Sequence, residues 1–358
     1  ESPVGDRREV VRSYPTSVTY APVGDVMVVT MEASKSAVVI STLHTASNPD
    51  VEFESFDSDG VGSAFSEGMA VSGSVFVSMD AGPRGVAFLD NDTALAHNFL
   101  SRSLRQLDVR EGRTRVAEVL AGTSFELSTT LEGGESTVVY DSALDPDVEA
   151  GRLLFYSATN DHMAVDGAGV SCSTCHFQGR NDGLAWNLEE VGNRQTPSLA
   201  AAAGRTGPYT WTSGVESIAS EALLTSQGRM GGEGLDTVTA LQIQAFIESI
   251  DVPDVGGVSH DEAAVARGTA VFSRDDVGCA GCHPAPLYTD NLSHPMYGLA
   301  AVNTPSLLGL RATAPYLHDG SAPTLSALLD TARGGAMGDA SALSSSEIAD
   351  LEAFLGSL

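Results

Sequence analysis

Two short motifs hold the residues most able to do chemistry. Each has two cysteines separated by two residues, followed directly by a histidine. They are Cys172, Cys175 and His176, and then Cys279, Cys282 and His283. Thiols at this spacing reach the two vinyl groups on one edge of a porphyrin, and the next residue places an imidazole under the iron. The motifs therefore predict two covalently attached haem c groups, with the cysteines as attachment points and the histidines as proximal iron ligands.

Two other uses of paired cysteines compete with haem. Four thiolates could bind zinc, and either pair could act as a redox dithiol. However, the pairs lie much farther apart in sequence than a structural zinc site usually requires, and a redox dithiol would not be expected to carry the histidine twice. The chain has only these four cysteines, so none remains for a structural disulfide. Haem attachment requires export, which predicts a periplasmic or extracellular location.

The charge of the chain limits its partners. The formal net charge is −28, whereas nucleic acid and anionic lipid both require a basic surface. An acidic surface favours solubility, and it can also steer a basic redox partner protein. The sequence contains no apolar run long enough to span a membrane. It does not begin with Met, so Glu1 is expected to be a processed end.

An internal repeat surrounds the motifs. The second motif follows the first by 107 residues, and Met230 and Met337 keep the same offset. Such self-similarity indicates two copies of one unit. Each copy begins with a predicted helix, over 147–159 or 261–273. Each ends with another, for which Asp236 and Ser345 are the predicted N-caps. We predict two mainly α cytochrome c domains, over 145–252 and 253–358.

The two methionines are candidates for the sixth ligand of each iron. Met230 and Met337 each lie 58 residues after the first cysteine of their motif, and each is followed by glycine. A thioether suits haem iron and raises its potential. The alternative is that the methionines fill gaps in a core, which is their commonest use. Ligation of both irons by methionine favours electron transfer, whereas an open or labile iron favours chemistry.

A wider resemblance appears in the second copy. Thr304–Pro305–Ser306–Leu307 and the segment Thr313–Ala–Pro–Tyr–Leu–His–Asp–Gly320 resemble the di-haem cytochrome c peroxidase family. The likeness covers about residues 145–358. It implies that the N-terminal haem binds peroxide and the C-terminal haem supplies electrons. It also implies that Trp211 matches a tryptophan that lies between the haems and provides an electron route.

The chain departs from the family's pattern in its first copy. Where the family has a glutamate that assists O–O cleavage, this sequence has Arg229, and arginine cannot act as a base. Glu216 and Glu221 are nearby and are weak candidates to replace it. The leading prediction is therefore a di-haem cytochrome that transfers electrons between redox partners. The alternative is a peroxidase or oxidase whose first haem reacts while the second donates electrons.

The resemblance also raises the question of calcium. The family's interdomain calcium site uses an asparagine in the first Thr-Pro loop, where this chain has Gln195. The carbonyls of Thr313 and Pro315 are expected to remain available as oxygen ligands. Calcium is therefore a weaker expectation than haem.

Residues 1–144 follow a different pattern. Alternating apolar stretches bounded by Gly and Asp turns predict antiparallel sheet. Ser34–Lys35–Ser36 matches Ser101–Arg102–Ser103, and the pattern resembles the Tyr-Val-Thr-Asn type of β-propeller repeat, with Asn98 at the asparagine. A closed propeller needs about 160 residues or more. We therefore predict an incomplete, propeller-like all-β segment, completed by another chain or by a fragment of the same precursor, ahead of the two cytochrome c domains.

Overall fold

The computed structural model describes residues 15–41, 74–110, 113–114, 130–165, 168–188, 192–253, 261–335 and 337–358. The chain forms two compact units. The first comprises Glu1–Leu144 and Tyr156–Val170, and the second comprises Asp145–Phe155 and Ser171–Leu358. No helix in the described ranges is long and apolar enough to cross a membrane.

The first unit is built from β-strands. They are β1 Pro15–Tyr20, β2 Val26–Met31, β3 Ser36–Ser41, β4 Ser74–Ser78, β5 Pro83–Phe88, β6 Thr93–Asn98, β7 Ser103–Asp108, β8 Thr130–Glu132 and β9 Ser136–Val138. One sheet has the order β1-β2-β3-β4-β8, and the other has the order β5-β6-β7-β9. All pairs are antiparallel except β4 and β8, which are parallel. The predicted antiparallel sheet is therefore present, in two pieces.

The two predicted serine turns of this unit have the same local geometry. Lys35 and Arg102 both have positive φ, 50° and 53°. The flanking hydroxyls contact each other across both turns, at 3.0 Å between Ser34 and Ser36 and 3.1 Å in the second turn. Alternate apolar residues of both sheets share one buried core. Within the described ranges the strands do not close into a propeller, so the propeller assignment remains a prediction.

The helices from residue 145 onward form two copies of one arrangement. They are α1 Pro146–Tyr156, α2 Cys172–Cys175, α3 Ile218–Leu224, α4 Thr237–Glu248, α5 Glu262–Phe272, α6 Cys279–Cys282, α7 Leu325–Arg333 and α8 Ser345–Leu355. Each copy also contains a two-stranded hairpin. These hairpins are β10 Ala185–Leu188 with β11 Gly192–Gln195, and β12 Ser293–Met296 with β13 Leu299–Asn303.

Each copy closes on a crossing between its first and last helix. A Cβ atom on Gly151 would lie 1.8 Å from the carbonyl oxygen of Gln242, and one on Gly268 would lie 2.0 Å from that of Asp350. Neither position has room for a side chain. These glycines, one in the first helix of each copy, therefore let α1 contact α4 and α5 contact α8.

The helix ends confirm one predicted cap and correct the other. Asp236 caps α4, because its carboxylate accepts a hydrogen bond from Thr239 N at 2.7 Å. Ser345 was the predicted cap of the last helix, but Ser344 holds that position. Its hydroxyl accepts from Glu347 N at 3.3 Å, and Glu347 accepts from Ser344 N at 2.8 Å. This capping box requires glutamate three residues after the cap, which selects Ser344 over Ser345.

Candidate haem sites

The first Cys-x-x-Cys-His motif is a single helical turn. Cys172 and Cys175 begin and end α2, and His176 is its C-cap. The Nδ1 atom of His176 lies 3.1 Å from the carbonyl oxygen of Pro197 and 3.3 Å from that of Arg180. A carbonyl can only accept, so Nδ1 carries the proton and Nε2 keeps its lone pair. The imidazole is thus oriented to bind a metal through Nε2.

The second motif repeats this arrangement with a different partner. Cys279 and Cys282 begin and end α6, and His283 follows as C-cap. Its Nδ1 lies 2.8 Å from the carbonyl oxygen of Tyr288. Burial lowers the pKa of both motif histidines. Each imidazole is therefore held in the neutral form, which is the form that ligates iron.

Burial disfavours ionisation of the motif thiols. It raises the pKa of Cys172 to about 12 and also raises the pKa of Cys175, Cys279 and Cys282. Redox-active dithiols need a lowered thiol pKa instead. Among the described residues, the four cysteines share no metal-binding cluster and form no disulfide. These observations fit thioether attachment of haem better than zinc or a redox dithiol.

Cys282 does lie close to two other potential ligands, Asp290 and His294. The carboxylate of Asp290 accepts a hydrogen bond from His294 Nε2 at 2.7 Å, so the histidine is already engaged. A thioether at Cys282 would remove its thiol from such a cluster. We therefore assign no separate metal to this group.

Both candidate methionines lie at matched positions, half-buried and followed by a left-handed glycine. Met337 packs against the apolar core of the second copy. A Cβ on Gly338, whose φ is +79°, would lie 2.5 Å from the carbonyl of Val277, so only glycine fits there. Met230 ends a π-helical turn over Thr225–Arg229. The structure thus places the two methionines alike, and their ligation of iron stays a prediction.

Trp211 lies where the two copies meet. Its indole Nε1 donates to the carbonyl of Gln195 at 2.7 Å, and its own carbonyl accepts from Asn303 N at 2.9 Å. Its ring is edge-on to that of His318, with centroids 6.4 Å apart. Gln195 N in turn donates to the His318 carbonyl at 2.8 Å. The sequence-predicted tryptophan therefore contacts residues of both haem-binding copies.

Three polar groups near this junction are buried and make no hydrogen bond within the described structure: the Nε of Arg194, the Nδ1 of His318 and the hydroxyl of Tyr297. The rings of Tyr297 and His318 lie 5.8 Å apart. Buried polar groups are normally paired, and a buried cation needs an anion. Haem propionates would supply such acceptors. His318 belongs to the segment that carries the family resemblance, whereas no local sequence pattern marks Arg194 or Tyr297.

One of the predicted calcium ligands, the Thr313 carbonyl, is already hydrogen-bonded. The carbonyl of Thr313, expected to be available, accepts hydrogen bonds from Asn181 Nδ2 at 2.7 Å and Gln195 Nε2 at 3.5 Å. Asn181 also donates to the carbonyl of Ala314 at 3.2 Å. Two amide groups thus engage the oxygens that would face a cation next to Pro315. We assign no role to calcium.

The two glutamates considered for the first copy have different surroundings. Glu216 is exposed. Glu221 forms an ion pair with Arg229, and its Oε1 also accepts from the hydroxyl of Thr225 at 3.1 Å. The structure therefore joins Glu221 and Arg229, which the sequence had treated separately, into one cluster.

Comparisons with known proteins agree with this geometry. Residues 301–334 match the family model described as RoxA-like, cytochrome c-like. The methylamine utilization protein MauG of Methylorubrum extorquens is 28% identical over 245 residues, covering 51% of this chain and 67% of that protein. MauG of Methylophilus methylotrophus is 27% identical over 230 residues, covering 48% and 67%. The chain carries two c-type haems. The likeness supports the di-haem cytochrome c peroxidase family for the part of the chain that it covers.

A solved structure extends the comparison to the fold. Hydrazine synthase of Kuenenia stuttgartiensis, studied under xenon pressure, superposes with a TM-score of 0.51 at 19% identity. The match covers 62% of this chain and 90% of that one. At this identity the match concerns the fold alone.

Proposed function

We propose that this chain is a di-haem oxidoreductase of the peroxidase or oxidase type. The haem at Cys172, Cys175 and His176 would be the reactive site, and the haem at Cys279, Cys282 and His283 would supply its electrons. The observation that carries this proposal is Trp211, which hydrogen-bonds to both copies between their motifs. The similarity to MauG over two thirds of its length supports the choice of chemistry.

Each bound haem would supply an iron that accepts and releases one electron at a time. Reduction of hydrogen peroxide to two water molecules consumes two electrons and two protons. The electrons would come one by one from a reduced partner protein. The chain's own part is to hold His176 and His283 neutral, with each Nδ1–H donated to a backbone carbonyl, and to connect the two copies through Trp211.

The two copies differ in polarity at two equivalent helix positions. The second copy presents Leu328 and Ala332 in its apolar core. The corresponding residues of the first copy are Glu221 and Thr225. An apolar surround suits a site that only passes electrons, whereas proton-coupled reduction needs polar groups close to the iron. This difference favours the first haem as the reactive one.

Electron transfer without peroxide chemistry is the second candidate. One observation favours it: Met230 and Met337 lie at the same distance after their motifs, and both are followed by a left-handed glycine. If both methionines bind iron, both sites are closed. The two functions therefore differ in whether Met230 occupies the first iron.

Peroxide consumption by the half-reduced protein distinguishes the two functions. We expect the wild-type protein to consume hydrogen peroxide when a reduced small redox protein is supplied. The Met–iron absorption band of the oxidised protein should then come from one haem only. Consumption by Met230→Ala but not by the wild type would favour electron transfer, with Met230 as a cap. No consumption by either protein would refute the peroxidase proposal.

We further propose a periplasmic location, a redox partner protein that is basic, and a second chain or precursor fragment against the β unit. The charge of −28 supports the basic partner. Exposed apolar residues at both sheet edges support the added chain, with Val18 and Tyr20 on β1 and Val138 on β9. Unpaired edges are normally covered. Sedimentation velocity tests this, and a monomer at all concentrations with a closed β unit would contradict it.

A further inference from the structure

In the second copy, one face of helix α7 lies in the apolar core that part of the haem motif also contacts. Leu328 and Ala332 on α7 are buried in the apolar core of that copy. Met337 and Cys279 pack against the same core. The two residues lie four apart and therefore share one face of the helix. In the second copy, that face is entirely apolar.

The first copy carries ionisable and polar groups on the same face. Its helix α3 begins at Ile218, 107 residues before α7 begins at Leu325, and each helix is capped by a hydroxyl. This register pairs Glu221 with Leu328 and Thr225 with Ala332. Glu221 and Thr225 therefore occupy the positions that, in the second copy, lie in the apolar core that Cys279 and Met337 also contact.

The two carboxylate oxygens of Glu221 differ in their hydrogen bonding. Oε1 accepts hydrogen bonds from the guanidinium of Arg229 and from the hydroxyl of Thr225, the latter at 3.1 Å. Oε2 is shielded from solvent and makes no hydrogen bond within the described structure. Buried carboxylate oxygens normally have a donor. A small molecule bound at the first haem would provide one.

The local backbone positions this group. After α3 the chain forms a π-helical turn, Thr225–Arg229, whereas α7 continues as an α-helix to Arg333. Single π-turns are frequent at functional sites. The turn ends at Met230. Arg229, which hydrogen-bonds to Glu221, therefore directly precedes the candidate iron ligand Met230. Arg229 is thus a positioning residue for the carboxylate, even though it cannot itself act as a base.

We propose that Glu221 is the proton acceptor of the first haem site, toward small neutral molecules H–X such as hydrogen peroxide. When H–X binds, its H–X bond breaks. The proton moves to Oε2, and the electron pair remains on X, which stays bound as the anion. No electron is exchanged in this step. The inference rests on the proposed function in one respect: it requires that the first haem can bind an external molecule.

The test compares two probe ligands that differ in whether they must lose a proton. Hydrogen cyanide is neutral at pH 7 and binds as its anion, whereas azide is already an anion. Stopped-flow association is followed in the oxidised holoprotein and in Met230→Ala, which removes the candidate sixth ligand of the first iron. In Glu221→Gln we expect cyanide to bind about 100-fold more slowly, while the azide rate stays equal or rises because a negative charge is gone.

Glu216→Gln is the matched control, because this exposed glutamate lies five residues earlier and should leave both rates unchanged. Arg229→Gln is the second variant if Glu221→Gln loses haem, and it should slow cyanide selectively by releasing the carboxylate. Equal slowing of cyanide and azide would mean a structural role and overturn the proposal, as would unchanged cyanide rates. Failure of both ligands to bind, even in Met230→Ala, would instead overturn the proposed reactive site itself.

Discussion

Backbone carbonyls accept the Nδ1–H of each motif histidine, from Pro197 for His176 and from Tyr288 for His283. The contact fixes ring orientation and tautomer, and it raises the basicity of Nε2 toward a metal. Each histidine also lies near a second carbonyl, from Arg180 just after the first motif and from Pro305 in the second Thr-Pro loop. The two copies therefore surround their motif histidines alike.

Each motif should carry its haem independently of the other. Replacing Cys279 and Cys282 by serine removes both attachment points of the second haem and leaves α2 untouched. We expect the mass of the denatured variant to show one haem per chain instead of two. The matched control replaces Cys172 and Cys175, and it should remove the other haem. A variant that keeps both haems after denaturation would contradict the assignment of the motif.

At the scale of helices and strands, the sequence predicted the helices but not the contacts made by the loops. The helices over 147–159 and 261–273 are present as α1 Pro146–Tyr156 and α5 Glu262–Phe272, because apolar residues at helical spacing mark them. The carbonyl partners, the pairing of Glu221 with Arg229 and the engaged Thr313 carbonyl could not be predicted. They depend on how loops far apart in sequence meet, and local periodicity carries no such information.

One polar cluster of the β unit joins the connection between β4 and β5 to strands β7 and β9. The carboxylate of Asp80 accepts hydrogen bonds from Arg105 at 2.8 Å, from Ser103 at 2.5 Å and from Ser136. Burial opposes ionisation of Asp80, but these donors outweigh it and hold its pKa below the usual value. Because the folded state lowers this pKa, the ionised carboxylate stabilises the β unit above about pH 4, and that stabilisation is lost as pH falls through the folded-state pKa.

Asp80→Asn should therefore destabilise the β unit in a pH-dependent way. We expect a loss of about 2 kcal/mol in the free energy of unfolding at pH 7, because Arg105 loses its counterion. The difference from wild type should shrink below about pH 4, where the native carboxylate is being protonated. Urea unfolding followed by circular dichroism measures it. Asp141→Asn, at an exposed position, is the control, and an equal loss there would show that the cluster is not responsible.

At the scale of the whole haem-binding unit, the junction between the copies is nearly two-fold symmetric. Gln195 N donates to the His318 carbonyl at 2.8 Å, and Asn303 N donates to the Trp211 carbonyl at 2.9 Å. The side chains break this symmetry, because Trp211 has an indole at the position where the second copy has the imidazole of His318. Matching backbone contacts thus hold the two haem-binding copies in a fixed relation, while the side chains differ in what they can conduct.

Trp211 should therefore control the rate of electron exchange between the haems. Trp211→Phe loses the indole ring and its hydrogen bond to Gln195, and we expect exchange to slow by about tenfold, equivalent to about 1.4 kcal/mol in the barrier. The chain has only one other tryptophan, Trp186, whose exposed indole donates to Asp182, so Trp186→Phe is a matched control. The protein is half-reduced, and redistribution of the electron is followed by stopped-flow absorbance, with both potentials measured separately. Equal rates in the two variants, at unchanged potentials, would show that electrons pass between the haems by another path.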